Sequence, residues 1–383
     1  MRILHAAKRY PNSLAGDSIM VLNLQKQQRQ AGHEVFIMTS NCPIINAGPG
    51  VKKFGLPISS EAIDVINLRR VITIAWLIPW AFWYLRRIRP DVIHSHTMDF
   101  GFGLSFAARL YHIPMVNTCH GVSFTDPDLP RAKRTLELRL LRAGHFNEII
   151  TVDETSLPAF KQLGFRNVRY LPNAIDLDRF TVAKPYSSGR FELFYVGRLS
   201  AMKGIPQLIE ALPALKGDWR LRMTGLGFDD EVAEYKRRLA ELGLTKQVKF
   251  LGMVPPIENA RIFTDSHAFV LPSLHEGFPT VLLEAWAVGI PAIMTKVGTM
   301  TTACTDEVDT LMVGAGSSEQ LSAAINRVMT DGALRAKLGR NGRKLVESRY
   351  SFVVLAKNIE QLYHDMLTPT RPNKALEQGK ATK

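Results

Sequence analysis

The sequence predicts an α/β protein of two Rossmann-like, doubly wound domains facing each other across a cleft. Three observations carry this. Short β-rich runs alternate with helical ones along most of the chain, the alternation breaks at VAKPYSSGR (182–190) and then restarts, and 383 residues exceed one ordinary hydrophobic core.

In the first half, MRILHAA reads as a strand, SIMVLNLQKQQRQAG as a helix, HEVFIMTS and DVIHSH as strands, GFGLSFAARLYH as a helix and IPMVNTCHG as a strand. EIITVDE and VRYLPNAID continue the series. Repeated strand-helix-strand order implies a parallel sheet covered by helices on both faces. After the Pro/Ser/Gly interruption, which reads as a linker, FELFYVGRL, WRLRMTGLG, VKFLGMV, AFVLPSL and PAIMTK read as strands. The helices between and after them are GIPQLIEALPAL, DDEVAEYKRRLAELG, IENARIFTDS, PTVLLEAWAVG and SSEQLSAAINRVMTDG. The expected domains are 1–180 and 181–350, followed by a helical segment, 351–367, and a polar tail, 368–383, expected to be disordered. Ligands of open parallel sheets sit beyond the carboxyl ends of the strands, so the site is expected between the domains.

Composition narrows the class. Hydrophobic content of 46% with 22% charged residues suits a water-soluble globular chain. Cys42, Cys119 and Cys304 are odd in number and lack metal-ligand spacing, which argues against a disulfide framework and for a reducing cytoplasm. The opening MRILHAAKRYPNS has too short an apolar run for a secretory signal. VITIAWLIPWAFWYL (71–85) falls short of the roughly 20 residues of a spanning helix and contains Pro79. It is apolar around most of its circumference and RRIRP follows, so peripheral docking on an anionic membrane, at its inner face, competes with plain burial. The net charge of +13, leaning towards the first half, suits anionic lipid or a phosphorylated substrate. Nucleic acid is disfavoured, because the chain has neither zinc-finger spacing nor the aromatic-basic strand signature of an RNA-binding sheet. Arg86, Arg87 and Arg89, like Arg131, Lys133 and Arg134, also read as ordinary solvated faces.

The chemistry concentrates in HEGFPTVLLEAW (275–286). Pro279 has the fixed φ and missing N–H favoured at a first helical position, while Gly289 and Pro291 mark the far end. Glu276 then lies on the loop before the helix, and Glu284 stands roughly 7–8 Å along its axis. The amides of Gly277, Phe278 and Thr280 form an anion site at the positive helix end between them. A sugar joined through a diphosphate to a ribose presents hydroxyls, phosphates and vicinal hydroxyls in that same order. The alternative is an amphipathic helix with an incidental surface glutamate. In YVGRLSAMKGIPQLIEAL, Arg198 and Lys203 lie on a strand-to-helix turn bracketed by Gly197 and Gly204, placed to bind a pyrophosphate and to offset charge growing on a leaving group.

No metal site is expected. Asp126–Asp128 lies in a proline-containing loop, and Asp176–Asp178 reads as a helix start. His94 and His96 could ligate zinc, but no third ligand comes at useful spacing. In NTCHG, His120 follows a strand, where it could contact a sugar hydroxyl or serve structure alone. Gly16, in SLAGDS, would let the backbone approach a phosphate.

EGFPTVLLEA, GRLSAMKG, TCHG, PNAID and YSFVVLAKNIEQLYHDML together resemble glycosyltransferase family 4, the retaining nucleotide-sugar transferases of the GT-B fold, over residues 1 to about 367. The resemblance implies a first domain on the acceptor side, a second that binds the nucleotide sugar, and a last helix crossing back to the first domain. It implies that Glu276 and His120 act at the donor sugar and that Glu284 holds the ribose. Arg198 and Lys203 would hold the diphosphate, and Gly277, Phe278, Pro279 and Thr280 would complete the pocket. The implied reaction is metal-independent, needs no cofactor and moves a hexose, with retention, to a hydroxyl of a lipid-linked or saccharide acceptor. This chain departs from the family pattern at Ala15–Gly16, where Gly-Gly is common, in the alanine of PNAID, and in KVGTMTTAC, which lacks a second glycine. A nucleotide-sugar epimerase of similar build and an inactive nucleotide-sugar-binding subunit are the alternatives. An oxidoreductase is disfavoured because TGLGFDD lacks the third glycine of a dinucleotide fingerprint.

Overall fold

The computed structural model describes residues 1–9, 16–41, 50–53, 68–121, 124, 130–186 and 188–368. They form two compact units, one of Met1–Leu171 with Leu355 onwards, the other of Pro172–Val354. The division falls at Leu171/Pro172, nine residues before the boundary expected at Phe180. The 182–190 stretch expected to link the domains belongs to the second unit. There the Ala183 N–H donates to Val288 O (2.8 Å), and the Tyr186 ring packs on Phe191 and His267. The polar tail beyond Thr368 lies outside the described residues.

Unit 1 runs β1 (Arg2–Arg9), α1 (Gly16–Gln30), β2 (Glu34–Asn41), β3 (Val51–Lys53), α2 (Leu68–Ile88), β4 (Val92–Ser95), α3 (Met98–Leu110), β5 (Met115–Cys119), α4 (Arg131–Ala143), β6 (Glu148–Thr151), α5 (Leu157–Gln162) and β7 (Val168–Tyr170). All its strands pair in parallel, in the order β3-β2-β1-β4-β5-β6-β7. The strand order reverses between β1 and β4, which is the topological switch point of the sheet. Every residue of β4 and β5 is buried, as a parallel sheet covered on both faces requires.

The apolar segment around 71–85 lies within the 21-residue α2, which continues through Pro79. Leu77, Ala81, Tyr84 and Leu85 are buried and join a core with Phe100 and Leu104 of α3. Trp76 and Trp83, on the other face, are each 57% exposed. The segment is therefore neither wholly buried nor wholly available. Among the described residues, no helix is long and apolar enough to cross a membrane.

Unit 2 runs β8 (Phe191–Val196), α6 (Ile205–Ala211), β9 (Trp219–Thr224), α7 (Asp229–Glu241), β10 (Val248–Gly252), α8 (Pro256–Thr264), β11 (Ala268–Leu271), α9 (Thr280–Val288), β12 (Ala292–Thr295), α10 (Met300–Ala303), β13 (Leu311–Val313), α11 (Ser318–Thr330) and α12 (Gly332–Arg349). Its strands, also all parallel, follow β10-β9-β8-β11-β12-β13, with the switch between β8 and β11. The sequence pattern does not announce α12. It packs on α9, and Gly342 lies against the Trp286 ring, where a side chain would meet the ring at 2.2 Å. A last helix, α13 (Phe352–Leu367), starts in unit 2 and from Leu355 belongs to unit 1. There Tyr363 is fully buried and its hydroxyl meets His94 Nδ1 at 2.6 Å.

Candidate active site

In unit 2, the loops after β8 and β11 flank the switch point and carry Arg198, Lys203 and Glu276. Lys203 Nζ donates to Glu276 Oε1 at 2.6 Å, and Ser273 Oγ donates to the same oxygen at 2.7 Å. The Glu276 side chain is 10% exposed and that of Lys203 30%, so this is a partly desolvated, hydrogen-bonded pair rather than a weak surface contact. Arg198 is exposed, and no hydrogen bond or ion pair reaches its guanidinium among the described residues. Its carbonyl accepts from the Tyr195 hydroxyl (2.7 Å), which pins the turn.

Two glycines allow these loops to interlock. Gly204 has φ +71°, and a Cβ there would lie 1.9 Å from Pro272 O. Gly298, with φ +54°, would put a Cβ 1.8 Å from Glu276 O. Any side chain at either position clashes with backbone and is strained as well. Leu274 N–H donates to Met202 O (2.9 Å), Thr295 Oγ1 to Ser273 O, and Thr299 Oγ1 to Gly277 O. The loop that carries Glu276 is thus held by two neighbouring segments, the turn after β8 and the end of β12 with the loop that follows.

The helix start differs from expectation in one detail. Pro279 is the N-cap of α9, with ψ 109°, and Thr280 is the first helical residue. Its extended ψ keeps the proline outside the helix, and no side chain caps the first turn. Gly277 and Thr280 are exposed. The Phe278 ring packs on Tyr350 (centroids 5.3 Å), so this residue can offer a ligand only its backbone. Glu284 is the fifth residue of α9. Asn259 Nδ2 donates to its Oε2 at 3.3 Å, and Thr224 Oγ1 donates to Asn259 Oδ1 at 3.1 Å. Burial pushes the Glu284 carboxyl up to about 7, against the opposing influences of Arg179 and the Asn259 hydrogen bond.

In unit 1, His120 follows β5 and its ring stacks on His96 (centroids 5.7 Å, 25°). Gly16 opens α1, while the loop before it, with Ala15, lies outside the described residues, as does Asp126–Asp128. Asp176 caps a 3₁₀ turn, accepting from the Asp178 N–H at 3.3 Å. The expectation that His94 and His96 lack a third partner is corrected. Pairing of β1 with β4 sets His5 opposite His94, and nitrogens of His5, His94 and His96 all lie within 4.8 Å of one another. A residue 89 positions away on another strand leaves no trace in local spacing. Asn259, Thr295 and Thr299, each more than twenty positions from its partner, escaped the sequence reading for the same reason, whereas Ser273 is only three positions from Glu276.

Residues 15–179 match the family profile described as Glycosyltransferase Family 4, and residues 179–345 match Glycosyl transferases group 1. The chain belongs to these glycosyltransferases. The enzyme is similar to the glycogen synthase of Mycobacterium tuberculosis, 27% identical over 95% of this chain and 94% of that protein. It is also similar to the GDP-mannose:cellobiosyl-diphosphopolyprenol alpha-mannosyltransferase of Xanthomonas campestris, 26% identical over 98% of this chain and all of the relative. Anabaena HepE, solved in complex with UDP and glucose, superposes with a TM-score of 0.75 at 19% identity, covering 95% of this chain and all of that one. This glycosyltransferase has the GT-B fold, with two parallel-sheet Rossmann-like units.

Proposed function

We propose that the chain transfers a hexose from a nucleotide diphosphate sugar to a hydroxyl of a lipid-linked or saccharide acceptor, with retention and without a metal ion. The observation that carries the reading is the Lys203–Glu276 pair, held by Ser273 beside the uncapped start of α9 at the switch point. Glu276 accepts from donor-sugar hydroxyls near the reacting carbon. Lys203 and the unengaged Arg198 bind the diphosphate and take up the charge that develops as it departs. The amides of residues 277–280 complete the anion site, Glu284 accepts from the ribose diol, and His120 lies beside the sugar. Gly16 lets the backbone approach a phosphate.

Two cationic side chains supply the positive charge that a metal would otherwise bring. Asp176, whose carboxylate caps its own turn, fits no ligand role in this scheme. Retention follows the family resemblance: the acceptor oxygen bonds to the anomeric carbon on the face the phosphate leaves, and the hydroxyl proton passes to the departing diphosphate. No enzyme base is needed. The relatives named above support a nucleotide-sugar donor and a glycan or lipid-linked acceptor.

The outer face of α2 supports peripheral membrane association. Exposed Trp76 and Trp83 stand with Arg86 and Arg87, and the Arg87 guanidinium lies 5.7 Å from the centroid of the Trp83 ring. Aromatic rings beside cations suit the headgroup layer of an anionic bilayer.

Thermal shift with a panel of UDP- and GDP-sugars tests the donor assignment, since a ligand of the native state alone raises the melting point with its affinity. One base and sugar should stabilise the chain and be consumed on addition of acceptor. Absence of any shift across the panel would refute the reading.

A further inference from the structure

The switch point of unit 1 lies between β1 and β4; His5 and His94 face each other within these strands, His96 follows β4, and all three imidazoles are buried, at 0%, 0% and 2% exposure. Their hydrogen bonds give one self-consistent set of proton positions. Gln28 presents Oε1, an acceptor, to His5 Nε2 at 2.7 Å, and in that orientation His5 carries its proton on Nε2. The bare Nδ1 of His5 then accepts from His96 Nε2–H at 2.9 Å. The second nitrogen of His96, Nδ1, is left as a lone pair. It is buried and has no partner among the described residues. A buried acceptor without a donor is costly, and a switch-point crevice is where open α/β sheets take their ligands.

We propose that His96 is an acceptor-binding residue, its Nδ1 taking a hydrogen bond from a hydroxyl of the sugar or polyol that receives the transferred hexose. This rests on the transferase reading above, with unit 1 as the acceptor side. The relay Gln28–His5–His96 presents a neutral lone pair, which suits an uncharged hydroxyl donor and not a phosphate. The His96 ring stacks on that of His120, the residue assigned above to the donor sugar. Burial holds His96 well below its usual range, so the lone pair persists at neutral pH. A metal held by the three histidines would compete for the same nitrogens. Those of His94 are already engaged by Tyr363 (2.6 Å) and Thr118 (2.7 Å), and that of His5 by His96.

Nitrogen-15 NMR of histidine-labelled full-length protein tests this directly. His96 should appear as the Nε2–H tautomer with a free Nδ1, and titration with glucose, mannose and cellobiose should shift that Nδ1 for at least one of them. A Nδ1–H tautomer, no response to any of the three, or stoichiometric zinc uptake that is lost in His96→Asn would each overturn the proposal. In kinetics, His96→Leu should lower transfer about tenfold more than hydrolysis of the donor by water, through a raised acceptor KM. His96→Asn, whose side-chain oxygen stands near the Nδ1 position, should recover part of the loss. Equal falls in transfer and hydrolysis, or none, would overturn it. If the wild type consumes no nucleotide sugar, the transferase reading fails, and the NMR titration still decides the role of His96.

Discussion

The two sheets of this protein have the same parallel build and a switch point each, yet they equip those points in opposite ways. In unit 2 the switch between β8 and β11 holds charge: a lysine, an exposed arginine, a partly desolvated carboxylate and an uncapped helix start. In unit 1 the strands at the switch between β1 and β4 hold buried imidazoles that burial keeps neutral, with His5 hydrogen-bonded to His96. One topology supplies both switch points, and the side chains there differ in charge. Fold alone therefore does not determine what each unit binds.

The charged side of this contrast carries the largest expected effect. Glu276→Gln should cut turnover by about 10²-fold or more while donor affinity changes much less, as steady-state kinetics beside donor titration will show. Equal, slight losses in both would remove Glu276 from the reacting centre. Lys203→Ala should cost about 10²-fold in kcat/KM and should also strip Glu276 of its cation, so its loss should exceed that of Arg198→Ala. A greater loss from the arginine change would place the diphosphate nearer Arg198.

The pH response of stability should split the two units by sign. Burial raises Glu284 from 4.5 to about 7 in the folded chain, so the fold binds its proton more tightly than the unfolded chain does. Its contribution to stability is then lost as pH rises from 4.5 through 7. Glu284→Gln should therefore match the wild type near pH 4.5 and exceed it above pH 7, by about 1–3 kcal/mol in denaturant titrations. His5 behaves oppositely. Burial lowers it from 6.5 to about 4, so the unfolded chain binds the proton more tightly, and stability is lost as pH falls from 6.5 towards 4. His94 and His96 are displaced in the same direction by the same cause. His5→Asn, which keeps an acceptor for His96, should flatten that acid limb. An unchanged limb would detach it from the imidazole cluster.

The smallest effect concerns the outer surface of unit 1. Replacing Arg86 and Arg87 together by Ser should weaken binding to anionic vesicles at low salt, by about 1 kcal/mol per charge, without altering the melting point. If binding is unchanged, those arginines are an ordinary solvated face.

Much of this was legible in the residues themselves. Alternating β-rich and helical runs foretell both sheets, and the spacing of Glu276 and Glu284 about Gly-Phe-Pro foretells a loop carboxylate, a helix start and a carboxylate in its second turn. Other features were hidden for physical reasons. The arginines and glycines of GRNGRK obscure a helix, α12, in which Gly342 lets it close on Trp286 and Gly339 on the Gly289 backbone. The 182–190 stretch has a linker's composition, yet its backbone and Tyr186 bind to unit 2. Pro279 reads as a first helical residue but adopts the extended ψ of a cap.

By itself the sequence determined the class of the fold, the alternating order of most of its strands and helices and the polar residues offered at the strand ends, because periodicity and turn chemistry act over a few neighbours. Only the tertiary structure decided that Lys203 meets Glu276 across 73 positions and that His5 meets His96 across 91. It also decided that burial would shift Glu284 up and His5 down. Pairing between distant strands and the exclusion of water are collective outcomes of packing, and no short window of residues encodes them.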